Sequence, residues 1–470
     1  MATDGNTDEI WHPARLIPTT GIRGQEEQER RATSVLLAVM RAVPDFGRSL
    51  LASLDAPKGR IRTFEEVPLK HQDGQVSRPD GAIVVERGRT HWRALVEVKT
   101  GTNALKTEQV SRYLDMAREH GFDAVLTISN EITADSIELP LALDRRKLRG
   151  LTVRHLSWWR IITEAIVQHR FRGISDPDQA WVLGELIAYL DNERSGAGGF
   201  EDMGDRWVRV RDGARSGTLR ASDPEVGSVC ERWEDFLDYL ALGLSQDLGR
   251  DVRVWRGRKG DSADRLAALA SELTDSGTLS GSLRIPDAVA PLLISADLRA
   301  RQVTTNVTLD APREGRPLAR INWLLRQLGD ASPNLRTEVG FVGGRETSAV
   351  LLVEALENPR QLLSALDPKH EPRTLSVALV RPMGLKRGKG QGSFVGDTRK
   401  QVVDFYRDVV QALKAWQPKA PKLPEEPAET PPLPQPEPPP FSATERDFGE
   451  AVEPSEASLN AFERPSGERD

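Results

Sequence analysis

The sequence predicts an α/β protein whose first part folds around a mixed sheet flanked by helices. Three observations predict this class. The stretch Gly24–Val43 has the apolar spacing of an amphipathic helix. The apolar runs Ala82–Val85 and Ala94–Val98 flank a polar turn, which is typical of a β-hairpin. A second helical stretch, Asn103–His120, precedes the short apolar strand Asp123–Ser129.

The other elements of this part follow from local signals. In the first helix, Leu36, Leu37 and Met40 form the apolar stripe, and Pro44 ends it because proline cannot continue a helix. The order of elements is helix, three strands, helix and strand, which predicts an αβββαβ core over residues 24–200. Five further elements are a helix over Phe46–Leu54, strands over Ile61–Lys70 and Leu151–Leu156, and helices over Trp158–His169 and Asp176–Asn192.

Composition narrows the class of protein. The chain has 470 residues, 38% of them hydrophobic, which predicts two or three domains with real cores. Its single cysteine, Cys230, excludes an intrachain disulfide and a cysteine-based zinc cluster, and it fits a reducing cytoplasm. Residues 1–23 are predicted to be irregular, and the acidic start Met1–Glu9 lacks the features of a signal peptide. No apolar run is long enough for a membrane span, so we expect a cytoplasmic protein without a membrane partner.

Charge is distributed unevenly along the chain. Residues 417–470 carry 5 Lys+Arg against 12 Asp+Glu and hold 13 of the 31 prolines, which predicts a disordered, acidic tail rich in Pro and Glu. The rest of the chain has 59 basic and 58 acidic side chains. A neutral body of this kind neither predicts nucleic-acid binding nor excludes a local basic groove.

The segment Ser195–Gly199 is glycine-rich and predicts a flexible boundary before a second, mixed α/β region over residues 201–416. This region has no phosphate-binding loop of the motor type. We expect it to be an accessory domain that binds the substrate or a protein partner, as the tail also could. The oligomeric state does not follow from the sequence. Predicted strands include Val350–Glu354, and predicted helices include Pro224–Leu248.

The hairpin carries the most informative residues. A turn centred between Gly88 and Arg89 places Asp80 directly opposite Glu97, with their Cβ atoms about 5 Å apart. Lys99 lies on the same face as Glu97 because side chains alternate along a strand. Two carboxylates so close repel each other unless a cation lies between them. This arrangement predicts a site for a hard dication such as Mg²⁺, with an ammonium group beside it.

Pro79-Asp80 followed by Glu97-Val98-Lys99 resembles the motif of the PD-(D/E)xK nucleases, which have the restriction-endonuclease-like fold. The resemblance implies that Asp80, Glu97 and the backbone carbonyl of Val98 bind Mg²⁺, for which Mn²⁺ could substitute. It implies that Lys99 orients the attacking water or stabilises negative charge. The expected activity is hydrolysis of the DNA backbone, and analogy at the level of the fold suggests a role in defence or DNA repair.

Two helices offer further candidates. Glu29 lies on the core-facing stripe of the first helix and could be a third metal ligand, although glutamates also simply favour a helix N-terminus. Glu97-Val-Lys-Thr-Gly101 followed by Gln109 and Tyr113 resembles the RecB-type branch of the superfamily, in which these two side chains contact the water or the nucleic acid. Residues 24–43 contain no histidine, which departs from that branch and leaves the role to Glu29.

Several alternatives remain open from the sequence. Asp80, Glu97 and Lys99 could belong to an ordinary polar hairpin. The fold could be a catalytically inactive module that binds nucleic acid or protein, or the substrate could be RNA. In the second region, a glycine-rich loop carries three basic side chains that could contact a nucleic-acid backbone or simply be solvated, namely Lys386, Arg387 and Lys389.

Overall fold

Two large β-sheets, one in each half of the chain, organise the fold. The computed structural model describes residues 17, 23–70, 76–132, 143, 145–257, 262–329, 331–343 and 346–418. Both sheets belong to one compact unit that extends to Pro418. Most of the segment 1–23 and nearly all of the acidic tail, from Lys419 onward, lie outside the described residues, so the predictions of irregular and disordered chain there are not addressed.

The first half contains five helices and seven strands among the described residues. Helix α1 begins directly after Arg23, and α2 begins at Pro44, which suits the first position of a helix because it needs no N–H donor there. The helices are α1 Gly24–Ala42, α2 Pro44–Ala52, α3 Thr107–Glu119, α4 Trp158–Val167 and α5 Pro177–Leu190. The strands are β1 Arg60–Glu65, β2 Leu69–Lys70, β3 Val76–Ser77, β4 Gly81–Arg87, β5 Thr90–Val98, β6 Ala124–Ser129 and β7 Thr152–Ser157.

The first sheet has the strand order β1-β4-β5-β6-β7. Strands β1, β4 and β5 pair antiparallel, whereas β5, β6 and β7 pair parallel. The mixed α/β class is confirmed. Along the chain, α1 and α2 precede β1, the β2–β3 pair, β4 and β5, and α3 and β6 follow. The predicted strand Ile61–Lys70 is interrupted, because Glu66 has a positive φ of 46° and the chain leaves β1 there. Leu69–Lys70 pairs instead with Val76–Ser77 in a separate two-stranded sheet.

Helices cover both faces of this sheet. On one face, Leu36 and Met40 of α1 pack in one apolar cluster with Val96 and Val98 of β5. On the other face, Leu95 packs in a separate cluster with residues of α3. Since neighbours along β5 alternate between these clusters, Glu97 points to the face that α3 covers, and its side chain is 1% exposed.

The second half contains six helices and seven strands among the described residues. None of the helices described in either half is long and apolar enough to cross a bilayer. The helices are α6 Trp207–Ser216, α7 Pro224–Leu248, α8 Ser262–Asp275, α9 Pro317–Leu325, α10 Leu352–Glu357 and α11 Phe394–Asp408. The strands are β8 Arg253–Val254, β9 Thr278–Arg284, β10 Leu292–Asp297, β11 Gln302–Asp310, β12 Arg336–Phe341, β13 Thr347–Leu351 and β14 Pro372–Pro382.

The second sheet is antiparallel throughout, in the order β13-β12-β14-β11-β10-β9-β8. Helix α7 has the predicted bounds and packs on this sheet, where the indole of Trp233 donates to the carbonyl of Ser280 at 2.9 Å. The prediction of a strand over Val350–Glu354 is wrong at both ends, because β13 covers Thr347–Leu351. Helix α10 begins at Leu352 because the carboxylate of Glu354 accepts the free N–H of Leu351 at 3.2 Å.

Candidate active site

The hairpin of β4 and β5 has the register that its sequence predicts. Arg87 pairs with Thr90 at the turn, and Gly81 pairs with Val96 at the other end. Continuing this ladder by one residue sets Asp80 opposite Glu97. The turn residue Gly88 has a positive φ of 60°, which glycine adopts without strain. The two carboxylates predicted to face each other therefore lie at the end of the hairpin, next to the start of α3 and α1.

Lys99 occupies the centre of the site. Its Nζ lies 2.6 Å from Oε1 of Glu97 and donates to the carbonyl oxygen of Val98 at 3.1 Å. The backbone N–H of Val98 donates to Oδ2 of Asp80 at 2.7 Å. The backbone of the strand end thus orients both Asp80 and Lys99, and the indole of Trp158 holds the next peptide by donating to the carbonyl of Lys99 at 2.9 Å.

A third carboxylate reaches the site from α1. Oε2 of Glu29 lies 3.4 Å from Nζ of Lys99, and its other oxygen accepts a hydrogen bond from the amide of Asn103. The neighbouring glutamates behave differently, since Glu26 pairs with Arg30 and Glu27 pairs with Arg31 on the outside of the helix. Of these three glutamates, Glu29 is the one that contacts Lys99 of the hairpin.

Helix α3 contributes the two side chains that the resemblance to the RecB-type branch implies. Nε2 of Gln109 donates to Oε1 of Glu97 at 2.5 Å and to the hydroxyl of Tyr113 at 3.4 Å. Burial and the charge of Glu97 raise the pKa of Tyr113 to about 12, so its hydroxyl stays protonated at neutral pH. Gln109 and Tyr113 therefore line the buried side of the site rather than the surface.

Burial disturbs the ionisation of the central carboxylates. It raises the pKa of Glu97 to about 7, and the nearby charge of Asp80 acts in the same direction. Burial likewise raises the pKa of Asp80, although the N–H of Val98 and the ammonium of Lys99 oppose this. Burial lowers the pKa of Lys99, but the carboxylates of Glu97, Asp80 and Glu29 together outweigh it, and the net pKa is raised. The ammonium of Lys99 is therefore the cation that Glu29, Asp80 and Glu97 share.

The residues present fit a hard dication. Oε2 of Glu97 is buried, and none of the described residues donates a hydrogen bond to it when Glu97 is ionised, whereas a proton on Glu97 can be shared with Asp80. Leaving a buried charged oxygen without a donor is costly unless something else binds it. All candidate ligands are oxygens, which Mg²⁺ prefers, and Mg²⁺ is usually bound by only one or two carboxylates together with substrate phosphates and water.

The carboxylates at this site are not already arranged as a complete set of metal ligands. Within the described ranges, no three His, Cys, Asp or Glu side chains converge as the ligands of a metal ion. The ammonium of Lys99 instead lies against both Glu29 and Glu97. Asp80, Glu97 and the Val98 carbonyl are the set that the motif implies, and Glu29 would join them only if Lys99 shifted away from it.

Residues that the sequence did not single out hold the loop after Lys99. Asn130 donates to the carbonyl of Gly101 at 2.9 Å and to that of Gly196 at 2.8 Å, and it accepts from the N–H of Gly198 at 2.6 Å. Gly101 also donates directly to Gly196 at 2.9 Å. The segment predicted to be a flexible boundary is thus tied to the site, and Ser195 within it is fully buried. The local sequence cannot predict these contacts, because residues 101 and 130 are far from residue 196 along the chain.

A cleft of about 310 Å³ opens in front of Asp80 and Glu29. Its rim carries more acidic than basic side chains. The residues that line it are Glu26, Glu29, Arg30, Thr33, Glu65, Glu66, Arg78 and Asp80. Substrate phosphates that reach the carboxylates through this cleft would pass this rim.

The basic loop of the second half lies between β14 and α11. Lys386, Arg387 and Lys389 are all exposed, and Arg387 forms an ion pair with Asp205 at 3.1 Å. The loop is closed by a hydrogen bond from the N–H of Lys386 to the carbonyl of Gly392 at 2.9 Å. Nothing in its contacts decides between solvation and binding of a nucleic-acid backbone, so that role stays a prediction.

No protein-family model and no curated protein matches this chain. The resemblance to the PD-(D/E)xK nucleases is carried by Asp80, Glu97 and Lys99 and by the way the hairpin brings them together. Asn103 and Asn130 add polar contacts around that motif.

Proposed function

We propose that the chain is a Mg²⁺-dependent phosphodiesterase that hydrolyses the DNA backbone, with Mn²⁺ as a possible substitute. One observation supports this above the others. At the end of a hairpin, Glu97 is buried against Asp80 and Lys99 with one carboxylate oxygen left bare. A purely structural ion pair would satisfy its buried oxygens, whereas a site that takes up a cation and a phosphate needs such an oxygen.

Asp80, Glu97 and the carbonyl of Val98 would hold the metal, with Glu29 as a further candidate. When bound, a dication of this kind polarises a phosphoryl oxygen and lowers the pKa of a bound water. The structure supports different tasks for the carboxylates, because Asp80 is fixed by the N–H of Val98 whereas Glu29 is fixed by Asn103.

The protein's own side chains would position the reaction. The ammonium of Lys99 is held by Glu97 and Val98, and there it can stabilise the negative charge that develops on the phosphate. Gln109 uses its N–H₂ group on Glu97 and Tyr113, so its carbonyl oxygen is the part that could accept a hydrogen bond from the attacking water. Tyr113 stays a neutral donor at the pH of the reaction.

The test is cleavage of supercoiled, linear and single-stranded DNA and of RNA, with Mg²⁺, Mn²⁺ or EDTA. Asp80→Asn and Glu97→Gln keep the shape of each side chain and remove its charge, and each is expected to lower cleavage by at least about 100-fold. Glu108→Gln, on the exposed side of α3, is the matched control and should cleave like the wild type. Cleavage that survives in Asp80→Asn and Glu97→Gln would refute the proposal, and cleavage of RNA alone would change the substrate.

Substrate binding by the basic loop is a second part of the proposal. Replacing Lys386 and Lys389 together with alanine is expected to weaken DNA binding and to lower its dependence on salt by about one to two counterions. Arg387→Ala should have less effect, because that guanidinium already pairs with Asp205. Equal DNA affinity of the double variant and the wild type over a range of salt would remove this loop from the site.

A further inference from the structure

The cleft in front of the carboxylates poses an electrostatic problem for a nucleic-acid substrate. Glu26, Glu65 and Glu66 line it beside Glu29 and Asp80, while Arg30 and Arg78 are its cationic residues. A phosphate that approaches Asp80 through this cleft meets a net negative rim, and like charges at close range oppose binding. Some group at the rim must offset this repulsion if the site acts on a nucleic acid.

The two arginines of the rim differ in their surroundings. Arg30 is already neutralised, since its guanidinium lies 3.3 Å from Glu26 and 3.2 Å from Glu66. Arg78 is exposed, and among the residues that the structure describes it has no carboxylate within ion-pair distance. Arg78 is therefore the cation of the described rim that remains available to an anion.

The position of Arg78 is fixed close to the candidate ligands. It precedes Asp80 by two residues, and Pro79 between them is buried. Proline restrains both its own φ and the conformation of the residue before it, which favours an extended chain at Arg78. The guanidinium thus stands on a restrained stretch of backbone at the entrance, and its planar fork suits two oxygens of one phosphate.

We propose that Arg78 binds a phosphate of the nucleic-acid backbone next to the one that is cleaved, and so positions the strand over Asp80 and Glu97. This inference rests on the proposed function for the identity of the substrate. Arg78 neutralises charge that Arg30 cannot, because Arg30 is shared between Glu26 and Glu66. Arg78 therefore contributes to binding of the substrate more than to the chemical step.

Binding is best measured in the Asp80→Asn background, which removes catalysis and one negative charge. Fluorescence anisotropy with labelled single-stranded and duplex DNA over a range of salt gives affinity and salt dependence together. Arg78→Ala is expected to weaken binding about 10- to 100-fold, the usual value of a charge-assisted hydrogen bond. The slope of log K against log salt should fall by about 0.7 to 0.9, because one phosphate contact is lost. Arg78→Lys should keep the slope and recover part of the affinity.

The matched control is Arg89→Ala. Arg89 is an exposed arginine at the turn of the same hairpin, about 20 Å of strand away from Asp80, beyond the range of screened charges. It should leave affinity and slope unchanged. Glu66→Gln, which removes one charge from the rim, should tighten binding. Equal affinity and slope in Arg78→Ala and Arg89→Ala, or no DNA binding by the background protein, would overturn the inference.

Kinetic measurements distinguish a failure of the inference about Arg78 from a failure of the proposed function. With otherwise wild-type protein, Arg78→Ala should raise KM about 10- to 100-fold and change kcat little. If the wild type cleaves DNA and Arg78→Ala has normal KM, the inference fails and the proposed function stands. If the wild type cleaves nothing but binds DNA through Arg78, the proposed function fails and the phosphate contact stands.

Discussion

Replacing Glu97 with glutamine should stabilise the protein at neutral pH, although it removes a hydrogen-bonded group from the core. The glutamine keeps an oxygen that can accept from Lys99 and Gln109, and its amide places a donor where the wild type has a bare oxygen. The substitution removes a buried charge without leaving a cavity. Its effect should depend on pH, because the cost of Glu97 in the wild type is the cost of ionising it.

The magnitude follows from the pKa of Glu97, which burial and the charge of Asp80 raise from 4.5 to about 7. The folded protein therefore holds this proton more tightly than the unfolded chain. The resulting stability is fully present below about pH 4.5 and is lost as the pH rises to about 7. The difference corresponds to roughly 3 kcal/mol of unfolding free energy. At pH 8 the Glu97→Gln protein should be the more stable by up to that amount, and at pH 5 by less than about 1 kcal/mol.

The measurement is urea unfolding at pH 5, 6, 7 and 8 in EDTA, for the wild type, Glu97→Gln and the exposed control Glu108→Gln. Glu97→Gln should gain on the wild type mainly between pH 5 and pH 7 and then hold a constant lead, with the control parallel to the wild type. Excess Mg²⁺ should raise the stability of the wild type most at pH 8, because the ion binds the ionised carboxylates, and it should have little effect on Glu97→Gln. Parallel pH curves for the wild type and Glu97→Gln would show that Glu97 is not held as a strained carboxylate, and the reasoning would fail.

Substitutions at Asn103, Asn130 and Gly196 test the surroundings of the site. Asn103→Ala should reduce cleavage about 10-fold at unchanged KM, and Asn103→Asp should reduce it more because it sets a second charge against Glu29; initial rates decide this. Asn130→Ala removes three hydrogen bonds and should cost about 2–4 kcal/mol in urea unfolding. Gly196→Ala should cost about 2–4 kcal/mol, because φ is +72° and the new Cβ would overlap a side chain of α1; Gly204→Ala, with φ +81° and open space, should cost only about 1 kcal/mol.

The hairpin was predictable because its geometry is local. A two-residue turn fixes which residues face each other, so the position of Gly88 determines that Asp80 meets Glu97. Gln109 and Tyr113 were candidates only through the resemblance to the RecB-type branch, because helix spacing alone relates the two side chains to each other and not to the hairpin. Helix α7 was also predicted with its observed bounds, because Pro224 and Gly249 mark its ends.

The parts of the fold and of the site that were not predicted depend on contacts between distant parts of the chain. Strand β9 was missed because Thr278–Arg284 contains a glycine and few large apolar residues, and it is a strand because it pairs between β8 and β10. The contact of Asn130 with Gly196 spans 66 residues and has no local signature. The bare oxygen of Glu97 could not be predicted either, since it depends on which donors the folded chain fails to supply.

The unsatisfied oxygen is also the strongest reason to regard the site as functional. A chain selected for stability alone would gain from a neutral residue at position 97, because the shape, the packing and two hydrogen bonds would survive and the ionisation cost would vanish. The fold instead brings Glu29, Asp80 and Glu97 to one ammonium and encloses Glu97 almost completely. Local violations of this kind are expected where a site is prepared for a ligand that supplies the missing charge. The missing charge here is positive, and the proposed function assigns it to a hard dication, because the atoms around its place are oxygens.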